Sequence, residues 1–393
     1  MRQYSLKTGK TTAPGFHPFC EEGGIVEMEY DTARVVLRDS PNPYVRFADL
    51  LPIRESHGRL PSDARYTPLV HARKLGARLG LASLYLKDES ALPTRTTKDR
   101  MAVVSLAYLW ECGVRAFCTS STGNSSTAYA RAISNYPDMR LIIFTAEDFI
   151  NRIQHAAHPQ ITHFGLRQAS FVDAFAAAGD YATKHGLVSE RGFFNLGRRE
   201  GLKLAFFEAT DQAPGPIDWY VQAVSSAMGV FGTHKGAKEL LALGRIDRIP
   251  KLLCVQQESC CPMVRAHREG CAEIQSHHIV HRPKGIAEAI LRGDPSRVYP
   301  AVRQAVMESG GGFESVSEDE IREARRMLEE LEGVRCCFSA ATGLAGLIKK
   351  IRNRDFPTQE SVMVNLTGGE RERDVHPGGV IWMRRDGQEW TLE

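Results

Sequence analysis

Short apolar runs that alternate with polar turns and helical stretches constrain this chain more than any other feature. Leu84-Tyr85-Leu86-Lys87, Phe117-Cys118-Thr119, Leu141 to Thr145, Tyr220 to Val224, Leu252 to Gln256 and Val362 to Leu366 each have the length of a single strand. Apolar runs bounded by helices predict strands buried on both faces. The repeated order of strand, polar loop and helix is that of an α/β protein with mostly parallel sheets. Thr96 or Thr97 caps a predicted helix that starts near Lys98, runs through Met101, Val104, Leu106 and Leu109, and stops at Gly113. Further helices are predicted over Leu69 to Leu81, Ser126 to Ile133 and Thr342 to Lys350. Another follows the capping box Ser317 to Glu320, with Ile321, Ala324, Leu328 and Leu331 on one face.

The first 60 residues are different. Pro41, Pro43 and Pro52 interrupt them, and only Ile25 to Tyr30 and Arg34 to Leu37 have the character of strands. This stretch is expected to be an arm, packed either on a partner subunit or on its own domain. At 393 residues the chain is long enough for two domains. A net charge of +3, with no basic stripe, argues against nucleic acid as a partner. No apolar run approaches the roughly 18 residues of a membrane span. Residues 1–15 lack the apolar stretch of a secretion signal, so a cytoplasmic location is expected. Nine cysteines form no repeated CxxC pairs; Cys260-Cys261 and Cys336-Cys337 are expected to be small buried residues in a reducing compartment.

Two polar segments carry the chemistry. Lys98 lies where a strand and turn give way to a helix, and ligands bind α/β sheets beyond the carboxyl ends of strands. An amine there can bond covalently to an aldehyde if its site lets it lose a proton. The second segment, Ser120 to Thr127, is rich in serine, threonine, glycine and asparagine. Such clusters are common turns and caps, and this one also follows a strand and opens a helix, where backbone amides hold anions.

Four motifs together resemble the threonine synthase branch of the fold-type II pyridoxal-phosphate enzymes. They are Thr67-Pro68-Leu69, Lys87-Asp88-Glu89, Pro93-Thr94-Arg95-Thr96-Thr97-Lys98-Asp99-Arg100 and Ser121-Thr122-Gly123-Asn124. Thr96 and Thr97 stand where the family has serine and phenylalanine. The resemblance spans residues 20 to 374. It implies a tryptophan synthase β-like fold of two three-layer α/β domains. It also implies pyridoxal 5'-phosphate bound covalently to Lys98, which then serves as the base that takes the substrate α-proton. By the same resemblance Asn124 faces the oxygen on the cofactor ring. Ser225, Ser226, Ala227, Met228 and Gly229 hold its phosphate, in a loop less rich in glycine than in relatives. Thr367 lies next to the ring nitrogen. Thr97, Ser121, Thr122, Gly123, Ser125 and Arg199 are expected to meet the substrate, and Arg100, Arg131 and Lys203 are further candidates for an anionic leaving group.

The activity so implied is β- or γ-replacement on an O-activated amino acid, with an O-phospho group as the first expectation and a small nucleophile as second substrate. The alternatives are an amino acid ammonia-lyase and a homologue that binds the cofactor without turnover. A homodimer is typical of the family. Cys20 alone remains of a cysteine cluster found in some relatives, and four thiolates are needed for that kind of zinc site, so no metal is expected. His277, His278 and His281 are expected at the surface. The expected domains are an arm over residues 1–60, a large domain over 61–101 and 211–393, and a small one over 102–210 that closes on the substrate.

Overall fold

The structure, a computed structural model, describes residues 1–372, 376–387 and 389–393; the last two positions of the family resemblance, 373 and 374, lie outside them. The chain divides into two units. The first comprises Met1–Arg65, Lys98–Gly201 and Arg371–Glu393, and the second Tyr66–Thr97 and Leu202–Glu370.

The second unit is built on a six-stranded sheet. Its strands are β3 (Leu69–His71), β4 (Leu84–Asp88), β9 (Trp219–Ala223), β10 (Lys251–Gln257), β11 (Gly312–Val316) and β12 (Val362–Leu366), in the order β11-β10-β9-β12-β4-β3. All neighbours are parallel except β3 and β4. Its helices are α2 (Arg73–Leu79), α7 (Leu204–Gln212), α8 (Met228–Ala242), α9 (Pro262–Arg268), α10 (Tyr299–Glu308), α11 (Glu318–Glu332) and α12 (Phe338–Arg352). One face of the sheet packs on α2, α11 and α12 through Leu84, Val221, Val255, Leu328, Leu344 and Val364. The predicted capping box forms: Ser317 Oγ accepts from the Glu320 N–H, and the Glu320 carboxylate accepts from the Ser317 N–H. In register, Leu366 sits opposite Asp88 and Asn365 opposite Gln222. The carboxyl ends of β4, β9 and β12 therefore share one edge, where ligands of such sheets bind.

The first unit has its own six-stranded sheet, ordered β14-β13-β7-β6-β5-β8. The strands are β5 (Ala116–Ser120), β6 (Arg140–Ala146), β7 (Ile161–Leu166), β8 (Val188–Ser189), β13 (Val380–Asp386) and β14 (Glu389–Leu392). Only the β13–β14 pair is antiparallel. Helices α1 (Pro43–Arg46), α3 (Lys98–Glu111), α4 (Asn124–Ala132), α5 (Phe171–Lys184) and α6 (Leu196–Leu202) accompany it, and α6 ends at the division between the units. The arm contributes an antiparallel pair, β1 (Arg2–Ser5) with β2 (Val26–Glu29). Among the described residues no helix is long and apolar enough to cross a membrane, and all nine cysteines are free thiols.

Several elements depart from the sequence pattern. The arm, expected on a partner subunit or on its own domain, makes contacts with its own chain: Gln3 donates to the Tyr108 hydroxyl at 3.0 Å and the Tyr30 hydroxyl to Glu200 at 2.8 Å. Arg34 to Leu37 is no strand, because the Val36 N–H is taken by the Asp49 carboxylate instead of a neighbouring backbone. The helix predicted from Leu69 begins at Arg73, since Leu69–His71 pairs with β4. The boundaries between units also differ from those expected. The C-terminal segment, expected in the large domain, belongs to the first unit because β13 extends that unit's sheet by pairing with β7.

Gly197 and Gly201 lie one helical turn apart on α6 and let it reach the backbone of α3. A Cβ at Gly201 would come within 2.4 Å of the Arg100 carbonyl oxygen, and one at Gly197 within 2.8 Å of the Ser105 Cα. Gly201→Ala is expected to cost about 1–3 kcal/mol by overpacking, read as a lower urea midpoint. Gly215→Ala, with nothing within 4 Å, is the control that should move little.

Candidate active site

In the second unit, the segment before Lys98 is tied to the segment after β12. The Thr97 N–H donates to the Thr367 carbonyl at 2.9 Å, Thr96 bridges Gly368 in antiparallel fashion, and the Gly369 N–H donates to the Arg95 carbonyl at 2.9 Å. Arg95 holds a left-handed φ of 56°, unusual for a residue other than glycine, and strain of this kind gathers at functional sites. Gly369 makes room for its side chain: a Cβ there would meet Arg95 Nη2 at 2.8 Å. Thr367 is half-buried at the strand end. Thr97 is buried, and its hydroxyl has no hydrogen-bond partner among the described residues.

The loop after β9 lies at the same edge. Ser225 and Ser226 are half-buried; Ala227, Met228 and Gly229 are buried. Ala227 adopts a left-handed φ of 56° and begins α8, whose first turn has no side-chain cap. Uncapped amides at a helix start hold anions such as phosphate. Gly229 is required by close packing, since a Cβ would lie 2.9 Å from Gln222 Nε2. Gln222 is itself fixed, accepting from the Tyr220 hydroxyl at 2.6 Å, and Asn365 donates to that hydroxyl at 2.7 Å.

In the first unit, Lys98 is the first residue of α3 and is partly buried. Desolvation of its ammonium, and then the positive charge of Arg198, lower its pKa to about 8. The loop after β5 is organised by Ser121. Its hydroxyl accepts from the Gly123 N–H at 3.2 Å and the Ser126 N–H at 3.1 Å, and pairs with the Ser126 hydroxyl at 2.7 Å. Gly123 has a φ of 134°, and a Cβ there would lie 2.8 Å from the Arg152 carbonyl oxygen, so no other residue suits the turn. Thr122 is half-buried, and Ser125 is buried with its hydroxyl accepting from Arg198 Nη1 at 3.3 Å. Asn124 opens α4, and its Oδ1 accepts from Arg371 Nη2 at 2.5 Å. That bond orients the amide so that its NH2 group is the donor presented to a ligand. The Ser120 hydroxyl is buried with no partner among the described residues.

Arg199 is not where the sequence expectation puts it. It is fully buried, with Nε on Glu27 at 2.9 Å, Nη1 on the Phe193 carbonyl and Nη2 on the Val26 carbonyl and Glu27. Its charge and donors fasten the arm and are not offered to a substrate. Lys203 is likewise committed, to Glu239 at 2.7 Å. The cation felt at Lys98 is the neighbouring Arg198, and Arg371 is the partner of Asn124; sequence reasoning missed both. Adjacent arginines on a helix point about 100° apart, and spacing alone does not say which faces the lysine. Arg371 lies in the charged run Glu370-Arg371-Glu372, whose composition resembles any solvated surface. Cys20 is buried against the Ser5 hydroxyl at 3.4 Å. Glu269, His277 and His278 hold ligand-type atoms within 4.8 Å of one another, and His278 is buried, against expectation. The His278 Nδ1 accepts from the Gln275 N–H, so its Nε2 carries the proton and donates to Glu269. That tautomer suits a hydrogen bond and not a metal bond.

Each unit offers donors of the kind pyridoxal 5'-phosphate takes: the first a depressed lysine amine for the aldehyde and the buried Ser120 hydroxyl, the second an uncapped helix start for the phosphate and the buried Thr97 hydroxyl, both hydroxyls without a partner among the described residues. The family described as pyridoxal-phosphate dependent enzyme matches residues 61–368. Threonine synthase from Methanocaldococcus jannaschii is 29% identical over 381 residues, covering 94% of this chain and 92% of that protein. Cysteate synthase from Methanosarcina barkeri is 27% identical over 387 residues, covering 94% and 91%. The crystal structure of threonine synthase from Escherichia coli superposes with a TM-score of 0.69 over 94% of this chain and 88% of that one; at 16% identity the likeness is one of fold.

Glu27→Leu is expected to lower stability by about 3–5 kcal/mol in urea unfolding, because it strands the buried Arg199 charge. The double variant Glu27→Leu, Arg199→Met removes both charges and should recover most of the loss. A double variant as unstable as the single one would show that the ion pair is not the cause.

Proposed function

The chain belongs to the family of pyridoxal-phosphate dependent enzymes, and from that premise we propose that it catalyses β- or γ-replacement on an O-activated amino acid. The observation that carries this reading is the amine of Lys98, held near neutrality at the start of α3 by burial and by Arg198. Bound to that amine through its aldehyde, the cofactor supplies the electron sink that acidifies the substrate α-proton.

The chain's own residues do the rest. With a pKa of about 8, the Lys98 amine accepts a proton and returns it near physiological pH. Ser225 to Gly229 take the cofactor phosphate on backbone amides at the start of α8. Thr367, at the end of β12, would offer the ring nitrogen a hydroxyl and not a carboxylate. Asn124, whose Oδ1 is taken by Arg371, would donate from its amide NH2 to the ring oxygen. The Ser121 to Ser125 turn, with Thr97, holds the substrate carboxylate on amides and hydroxyls. Ser121 acts mainly by shaping the turn, since its hydroxyl already serves Gly123 and Ser126. Full-length similarity to threonine synthase and cysteate synthase supports replacement chemistry in this reading.

Lys98→Ala is expected to abolish the visible absorbance of the lysine-bound cofactor and the exchange of the substrate α-proton with solvent. A variant that kept both would overturn the assignment of Lys98. Ammonia and keto acid released at the same rate with and without a nucleophile would instead overturn replacement in favour of a lyase. The unprotonated amine is the reactive form. Cofactor uptake by cofactor-free protein should therefore speed up about tenfold per pH unit below about 8 and level off above it.

A further inference from the structure

One guanidinium nitrogen serves both Asn124 and the loop beside it. Arg371 Nη2 donates to Asn124 Oδ1 at 2.5 Å and to the Arg152 carbonyl at 3.0 Å, and all three residues belong to the first unit. A cation on the oxygen of an amide draws electrons from its nitrogen. The Asn124 NH2 is therefore a stronger donor than that of an ordinary asparagine.

The surroundings hold that contact in place. The Gln154 N–H donates to Thr127 Oγ1 on α4 at 3.1 Å, and the Gln154 side chain donates to the Glu372 carbonyl. His155 anchors the same loop in the sheet: its Nε2 pairs with His163 Nδ1 on β7 at 2.9 Å, and His163 Nε2 with the Thr145 hydroxyl on β6 at 3.0 Å. The Gly378 N–H returns to the His155 carbonyl at 2.9 Å. The segment that carries Arg371 is thereby fastened to the loop at Glu372 and Gly378, and the loop to β6, β7 and α4.

Asn124 and Lys98 open neighbouring helices of that unit. The end of α3 turns through Gly113 into the amino end of β5, and α4 starts beyond the carboxyl end of β5. The Ser105 and Tyr129 hydroxyls join the two helices near the middle of each, at 2.8 Å. Both helices therefore begin on the same side of that contact.

We propose that Arg371 is a positioning residue for the cofactor: through the Asn124 amide it holds the ring oxygen in its ionised form and keeps the proton shared with Lys98 on the lysine nitrogen. This assignment rests on the reading of Asn124 as the donor to the ring oxygen. In that reading Thr367 brings no charge to the ring nitrogen, so the positive charge that helps draw electrons from the substrate enters at the oxygen. A water molecule on Oδ1 would orient the amide and lend it no charge. The guanidinium does both, and it stays charged at every working pH.

The full-length chain is compared with Arg371→Met, Arg371→Lys and Asn124→Asp. Three quantities are read: the ratio of visible to near-ultraviolet absorbance of the loaded protein, which reports ionised against neutral ring oxygen; the Kd for pyridoxal 5'-phosphate; and the urea midpoint of the cofactor-free protein. The wild type should absorb chiefly in the visible. Arg371→Met should lower the ratio and weaken cofactor binding, each by about tenfold. Arg371→Lys restores the charge and should recover most of the ratio, which a purely structural role in the loop does not predict. Asn124→Asp keeps a partner for Arg371 and removes the amide donor, so it should lose the visible band with no fall in the urea midpoint. An unchanged ratio in Arg371→Met, with the band lost in Asn124→Asp, overturns the role of Arg371 alone. An unchanged ratio in Asn124→Asp overturns the reading of Asn124 with it. A wild type that absorbs chiefly in the near ultraviolet overturns the proposal whether or not any variant folds.

Discussion

The hydrogen bond from the Thr97 N–H to the Thr367 carbonyl is the constraint on which the site depends. It ties the turn after β4 to the end of β12, two neighbouring parallel strands whose carboxyl ends already share an edge. Lys98 follows Thr97 by a single peptide bond and opens α3. The same three-residue pairing brings Thr96 to Gly368 and Arg95 to Gly369. A lysine on an unanchored loop would be solvated and fully protonated at neutral pH. This one heads a helix that is buried for most of its length, and desolvation lowers its pKa.

Charge matching governs the first unit around that lysine. Arg198 and Arg199 are consecutive on α6, yet each is buried with its own carboxylate, Glu190 and Glu27. Their tasks differ. Arg199 joins β2 of the arm to α6, which in turn packs by its glycines on α3. Arg198 extends through Tyr129 and Ser125 to α4 and the polar loop. The two pairs therefore position α3 and α4, the helices that begin with Lys98 and Asn124. An unpaired charge at either place would be costly, which accounts for bidentate or multiple hydrogen bonds at both.

Much of this was legible in the sequence, and the limits have physical causes. The strand Val362–Leu366 and the capping box at Ser317 are found as predicted, because local hydrophobic runs and caps are decided by near neighbours. Lys98 and Asn124 stand at the starts of their helices for the same reason: glycine, threonine and proline before them end one element and permit the next. What stayed hidden depends on partners far away in the chain. Nothing near Arg199 announces Glu27, and nothing near Asn124 announces Arg371, 247 positions on. Strand β13 was missed because its alternation is half wet, and its place in the first unit follows from pairing with β7.

In the proposed function the loop after β9 would keep a phosphate-binding role while its residues change. Left-handed backbone at the start of α8 is easiest for glycine, and Ala227 adopts it at a cost on the order of 1–2 kcal/mol. The conformation persists because the loop is held at both ends, by β9 in the sheet and by Gly229 pressed on Gln222. What would bind an anion there is the direction of backbone N–H groups, and a methyl group at Ala227 leaves that direction intact. Arg95 repeats the pattern one loop away, left-handed and clasped by Gly368 and Gly369. The one group whose chemistry admits no substitute, the amine of Lys98, is retained.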